Sequence, residues 1–185
     1  AARATGLERD AGELDAGLVA FRRAVALVPA HPPSPERAAV LAALGNALLL
    51  AWRHAEARSS CEDAIAVASQ LDDDRAGWRA ADVLAICLCY LGHPEQGLPM
   101  LVAATNRAPD RTGVADRLRP YVLLSDALNT LGRRSEALQV ARSGLALASQ
   151  RGVGRGDRAE LWGSAAECVR SVGGRVDAAD AVAAG

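Results

Sequence analysis

The chain has 185 residues, half of them apolar and only 3% aromatic, with 21 basic and 22 acidic residues giving a formal net charge of −1. Every basic residue is arginine, which excludes a Walker P-loop and any Schiff-base or pyridoxal phosphate chemistry that needs an ammonium group. Charge of both signs is scattered through every part, so the footprint of a direct nucleic-acid contact is absent. Alanine, at 41 residues, leads a composition of strong helix formers, and the first expectation is an all-α protein with a core of many small side chains.

The elements recur with a period of about 40 residues and predict five helical hairpins, at 1–29, 34–70, 73–108, 111–151 and 155–185. The first turns at Gly12-Glu-Leu-Asp-Ala-Gly17-Leu, and Pro29 stops its second helix. After a proline-rich linker, Pro29 to Pro35, the second hairpin opens with an N-cap at Ser34, proline at the first helical position and Glu36 in the first turn. Its first helix carries the stripe Leu41, Leu44, Leu48 and Ala51. The turn Trp52-Arg-His-Ala-Glu-Ala57 follows, and then a second stripe of Ala57, Cys61, Ala64 and Val67.

Asp72, Asp73 and Asp74 cap the third hairpin, whose first helix carries Ala81, Leu84, Leu88 and Leu91. It turns at Gly92-His-Pro-Glu-Gln-Gly97-Leu, and its second stripe is Gly97, Leu101 and Ala104. Beyond Pro109 come Tyr121, Leu124, Leu128 and Leu131, and the turn Gly132-Arg-Arg-Ser-Glu-Ala137-Leu. Gly152 to Gly156 is a linker into the last hairpin, with the capping-box spacing Asp157 and Glu160, the stripe Trp162, Ala165, Val169 and Val172, and the turn Gly173-Gly-Arg-Val-Asp-Ala178. Small residues at Gly45, Ala57, Ala85, Gly97, Ser125 and Ala137 mark where paired helices cross closely. Together the hairpins should form one continuous right-handed α-solenoid.

The stretch Gly12-Glu-Leu-Asp-Ala-Gly-Leu-Val-Ala-Phe21-Arg-Arg-Ala24-Val-Ala-Leu-Val-Pro29 resembles a tetratricopeptide repeat, and Trp162, Gly173 and Ala178 fit the same pattern. The motif is degenerate: Cys61 or Ala141 stands where the first copy has Phe21, and the period exceeds the usual 34 residues by six. The lengthened period is similar to the repeats of the large ATP-binding regulators of the LuxR type, relatives of the maltose activator, in actinobacteria. Val28-Pro-Ala-His-Pro-Pro-Ser-Pro-Glu-Arg37, Ser60-Cys61-Glu-Asp-Ala-Ile65, Leu123-Leu-Ser-Asp126-Ala-Leu and Ser164-Ala-Ala-Glu167-Cys carry that likeness. It implies a sensor segment between an ATPase module and a helix-turn-helix domain, neither of which lies in this sequence. Because repeat arrays need polar capping units, the chain is expected to be a piece of a larger protein.

A curved stack of hairpins presents a concave wall built mainly from its first helices. One residue round from the buried stripes, the wall columns are Asn46, Ile86, Asp126 and Glu167, and Leu49, Cys89, Asn129 and Arg170. Arg79, Asp82, Tyr90, Arg119 and Glu160 flank them. Asn46, Arg79, Asp82, Tyr90, Arg119, Asp126, Asn129, Glu160, Glu167 and Arg170 are therefore the binding candidates, for a protein or peptide partner or for a small effector with hydroxyl groups. The alternative is that they pair with one another and keep an exposed face soluble.

No nucleophile stands with a base, no histidine has a partner at catalytic spacing, and Cys61, Cys87, Cys89 and Cys168 lack metal-ligand spacing. The expected protein is a non-catalytic binding segment with no cofactor or metal, without a membrane span, in the cytoplasm. Self-association through exposed terminal helices is a further route to a partner, and a stand-alone interaction scaffold is the competing reading.

Overall fold

A computed structural model describes residues 2–71, 74–107 and 114–150, and Gly163 in addition. Among the described residues there are seven helices and no strand: α1 Ala2–Leu27, α2 Pro35–Leu50, α3 His54–Ala68, α4 Asp74–Tyr90, α5 Pro94–Thr105, α6 Val114–Thr130 and α7 Arg134–Gln150. They divide into two compact units, Ala1–His93 and Pro94–Gly185, so the boundary falls inside the expected hairpin 73–108. The expected hairpin 155–185, the capping pair Asp157 and Glu160 and the linker 152–156 lie outside the described residues.

The turns that end α2, α4 and α6 are the same device at 40-residue spacing. The amide of Arg53 donates to Leu48 O (2.9 Å) and that of Trp52 to Leu49 O (3.0 Å). His93 and Gly92 repeat the pair onto Leu88 and Cys89, and Arg133 and Gly132 onto Leu128 and Asn129. This is a Schellman ending, in which one residue takes a left-handed backbone so that two otherwise orphaned carbonyls are satisfied. That residue is Gly92 (φ 89°), Gly132 (φ 76°) and, without the freedom of glycine, Trp52 (φ 58°).

At Gly12 the structure departs from the expected turn, because α1 runs unbroken from Ala2 to Leu27. Residues 1–11 contain one large apolar side chain, Leu7, so folding them back would bury little. Local propensity from Ala, Arg and Glu then carries the helix through the glycine. Its C-terminus is held instead by Arg37, whose guanidinium donates to Val25 O and to Val28 O, the latter at 2.8 Å. Arg37 is itself fixed by the N-cap of α2, where Ser34 Oγ accepts from the Arg37 amide (3.1 Å) ahead of Pro35.

In the first unit α2 packs on α1, α3 and α4, and α3 on α4. Leu18, Leu41, Leu44, Leu48, Cys61, Val83 and Cys87 join the small residues Ala42, Ala47, Ala57, Ala64 and Ala80 in one core. In the second unit α6 packs on α5 and α7, around Leu118 and Ala148 with Tyr121, Val122, Leu145 and Leu147. All the predicted crossing residues are buried. Two serines tie paired helices across these contacts, Ser60 Oγ donating to Leu41 O (2.9 Å) and Ser125 Oγ to Ala137 O (3.0 Å). Each such buried bond contributes about 1 kcal/mol net.

Candidate functional site

The wall expected from the first helices is only partly a surface. In the first unit Arg79 is exposed and Asn46 and Tyr90 are half-buried, but Asp82 is 3% exposed. Ile86 and Cys89, which were to complete the wall columns, are interior as well. The reason lies in α4, whose run Val83 to Cys89 is almost entirely apolar, and a helix apolar all round is covered all round. Burial pushes the Cys87 thiol up to about 12, and Cys89 adds to the rise, so Cys87 stays a protonated core residue. In the second unit Arg119, Asp126 and Asn129 are half-buried on α6. Glu160, Glu167, Arg170 and Cys168 lie outside the described residues.

The largest concavity described for the second unit lies elsewhere, between the helices α5 and α7 over α6, with a volume of about 510 Å³. Leu124 and Leu128 of α6 form its floor, Pro94, Leu98, Pro99 and Val102 its α5 wall, and Val140 stands on the α7 side. Glu95, Arg133, Glu136 and Gln139 make a polar rim. An apolar cleft of a few hundred cubic ångströms with a few polar groups at its edge is the usual form of a binding site.

Comparison with the first unit, 80 residues earlier, shows why a groove opens here. There Glu56 of α3 accepts from Arg53 Nε (2.6 Å) and, across the cleft, from Arg22 Nη2 of α1 (3.1 Å). Glu136 occupies the same register on α7 and accepts from Arg133 in the same way, at 2.7 and 2.6 Å. The residue in the register of Arg22 is Val102, which cannot reach over with a charge. Hydrogen bonds to Arg133 hold Glu136 below the ordinary carboxylate range, as Arg53 foremost and then Arg22 do for Glu56. The α5 wall is also unlike its counterpart: Pro94, Leu98 and Val102 replace His54, Arg58 and Glu62, of which the last two pair at 2.8 Å.

A second surface feature was not foreseen. Trp52 is 77% exposed, and its ring stands 5.7 Å from His54 and 6.2 Å from Tyr90, with His54 and Tyr90 4.6 Å apart. Among the described residues no group of three or more His, Cys, Asp or Glu is placed to hold a metal ion, and no helix is long and apolar enough to cross a membrane.

No family model matches the chain, and no curated protein does. Solved structures do match. Two crystal structures of nearly identical TPR-like repeats, assigned to a kinesin light chain of Podosopora anserina, are similar at TM-scores of 0.64 and 0.61. Their sequence identities are 18% and 17%, and each likeness covers 91% of this chain and 83% of theirs. The fold is therefore an α-solenoid of tetratricopeptide-like hairpins.

Proposed function

We propose that this chain is a non-catalytic protein-interaction module that holds an amphipathic helical segment in the groove between α5 and α7. TPR-like folds in general serve as scaffolds for protein partners, which supports the class of function. The observation that carries the site is the replacement of the cross-cleft ion pair Arg22–Glu56 by Val102 and Glu136. A closed, charged seam thereby becomes an open apolar trough. Helices are recognised in such troughs through apolar anchors one and two turns apart.

The test uses fluorescence anisotropy with the full chain and a panel of labelled helical peptides, each with apolar anchors at i, i+4 and i+8 and one arginine among them. Saturable binding is expected, lost in Val102→Arg and unchanged in the α6 variant Asp126→Ala. Binding that is lost in Asp126→Ala and kept in Val102→Arg moves the site to the first-helix face, where Asn46, Arg79, Tyr90, Arg119, Asp126 and Asn129 are the contacts to pursue. No saturable binding by any peptide overturns the reading.

A second reading has one observation in its favour, the 40-residue spacing of the three Schellman turns, which is longer than the usual repeat. It makes the chain the sensor arm of a LuxR-type ATP-dependent transcription regulator, with the half-buried polar residues of α6 facing a hydroxylated effector. Sequencing the coding region on both sides decides it. A Walker-type ATPase upstream and a helix-turn-helix downstream are expected, and their absence removes it.

A further inference from the structure

The groove lacks a specific thing, an arginine delivered to Glu136 from above α5, and the same chain displays a helix face that carries one. On α1, Leu18 and Val25 face the core while Val19, Arg23 and Leu27 lie on the outer side, with Val19 65% and Leu27 73% exposed and Arg23 exposed between them. Ala16 and Ala20 fill the rest of this face, so it is an apolar stripe with one cation at its centre. Such a stripe on the outside of a helix is an interaction surface far more often than a tolerated exposure.

The two surfaces have the same pitch. Val19, Arg23 and Leu27 are spaced i, i+4, i+8, and so are Pro94, Leu98 and Val102 on the groove wall. Each row spans about 12 Å at the helical rise. Charge agrees as well: Glu95 and Glu136 stand on the groove rim, and Glu136 has only the arginine of its own helix where Glu56 has two. An arginine at the centre of the seated helix restores to the second unit the ion pair that Arg22 makes in the first.

We infer that the occupant of the groove is α1 of a second copy of this chain, with Val19 and Leu27 in the apolar trough and Arg23 at Glu136. This rests on the groove being a binding site, as proposed above. The contact joins two different surfaces, so it is head-to-tail and continues from copy to copy instead of closing as a symmetric dimer.

The test is sedimentation equilibrium of the full chain over about 5 to 500 µM, the range in which weak association is read. The wild type is expected to gain weight-average mass steadily, without a plateau at the dimer. Val102→Arg blocks the groove and Leu27→Glu blocks the donor face; both positions are exposed, so neither change should impair folding, and circular dichroism checks this. Each variant alone is expected to stay monomeric. Mixed in equal amounts they are expected to form dimers and nothing larger, since one retains the donor face and the other the groove. A wild type that stays monomeric throughout overturns the inference, as does a mixture that does not associate. If the groove still binds the labelled peptides in that case, the proposed function stands and only the identity of the occupant is lost.

Discussion

A Cβ placed on Gly45 of α2 would lie 2.5 Å from the Sγ of Cys61 on α3, closer than a real contact allows. Cys61 is fully buried, so the sulfur has little room to rotate away. The two residues set the approach of the tightest helix pair in the first unit. Alanine would gain about 1 kcal/mol of helix propensity over glycine. Overpacking costs about 1–3 kcal/mol and is expected to win. Gly45→Ala should therefore lower the urea midpoint, and Cys61→Ala in the same chain should restore much of the loss. Destabilisations that simply add in the double variant would show that the two do not meet in solution.

Trp52 holds a backbone conformation that glycine supplies at the two equivalent turns. For a residue with a side chain the left-handed region costs roughly 1–2 kcal/mol. The ring contacts with His54 and Tyr90 offset part of that. Comparing Trp52→Ala with Trp52→Gly separates the two effects, because both delete the ring and only the alanine keeps the strain. The glycine variant should be more stable than the alanine variant by about 1 kcal/mol in urea unfolding at unchanged slope. Equal midpoints would mean that position 52 does not stay left-handed in solution.

The repeat, the turn positions and the crossing residues were legible in the sequence because each depends on neighbours within one hairpin. Gly45, Ala85 and Ser125 could be marked as contact points from a stripe and a period alone. Asp82, Ile86 and Cys89 could not be placed, since their burial depends on how many other elements cover α4. A one-stripe reading assigns an exposed side to every helix, and α4 has almost none between Val83 and Cys89. The groove left a signal that went unread. Aligning the copies by register puts Val102 against Arg22 and Leu98 against Arg58, an apolar residue twice replacing a cation on an outward face. The search for a site had been confined to the first helices.

His54 lies against Tyr90 and Trp52 with its Nδ1 enclosed and without a hydrogen-bond partner, an arrangement that suits a neutral imidazole. Burial lowers its pKa below the ordinary histidine value of about 6.5. The unfolded chain then binds a proton at this residue more readily than the folded one, so stability rises with pH across the interval between the two values. The contribution of His54 is complete above the unfolded pKa and is lost as pH falls through the folded one. Urea midpoints measured from about pH 7.5 to 5.5, above the carboxylate range, should decline for the wild type. The decline should be shallower in His54→Gln, and an identical slope in both would rule out a depressed pKa at His54.

Val102→Arg serves the binding tests only if it closes the groove as Arg22 closes its counterpart, and this can be checked without any ligand. Val102 is half exposed, so little apolar burial is lost, and an arginine there stands in the register that lets Arg22 reach Glu56 at 3.1 Å. Exposed ion pairs contribute little and are screened by salt. A double-mutant cycle of Val102→Arg with Glu136→Gln should therefore show a small favourable coupling at low ionic strength that fades at about 0.5 M NaCl. The native pair, probed with Arg22→Ala and Glu56→Gln, should behave alike. No coupling at low salt in the engineered pair would mean that residues 102 and 136 do not face each other across the cleft. The equivalence of the two units, on which the groove argument depends, would then fail at that point.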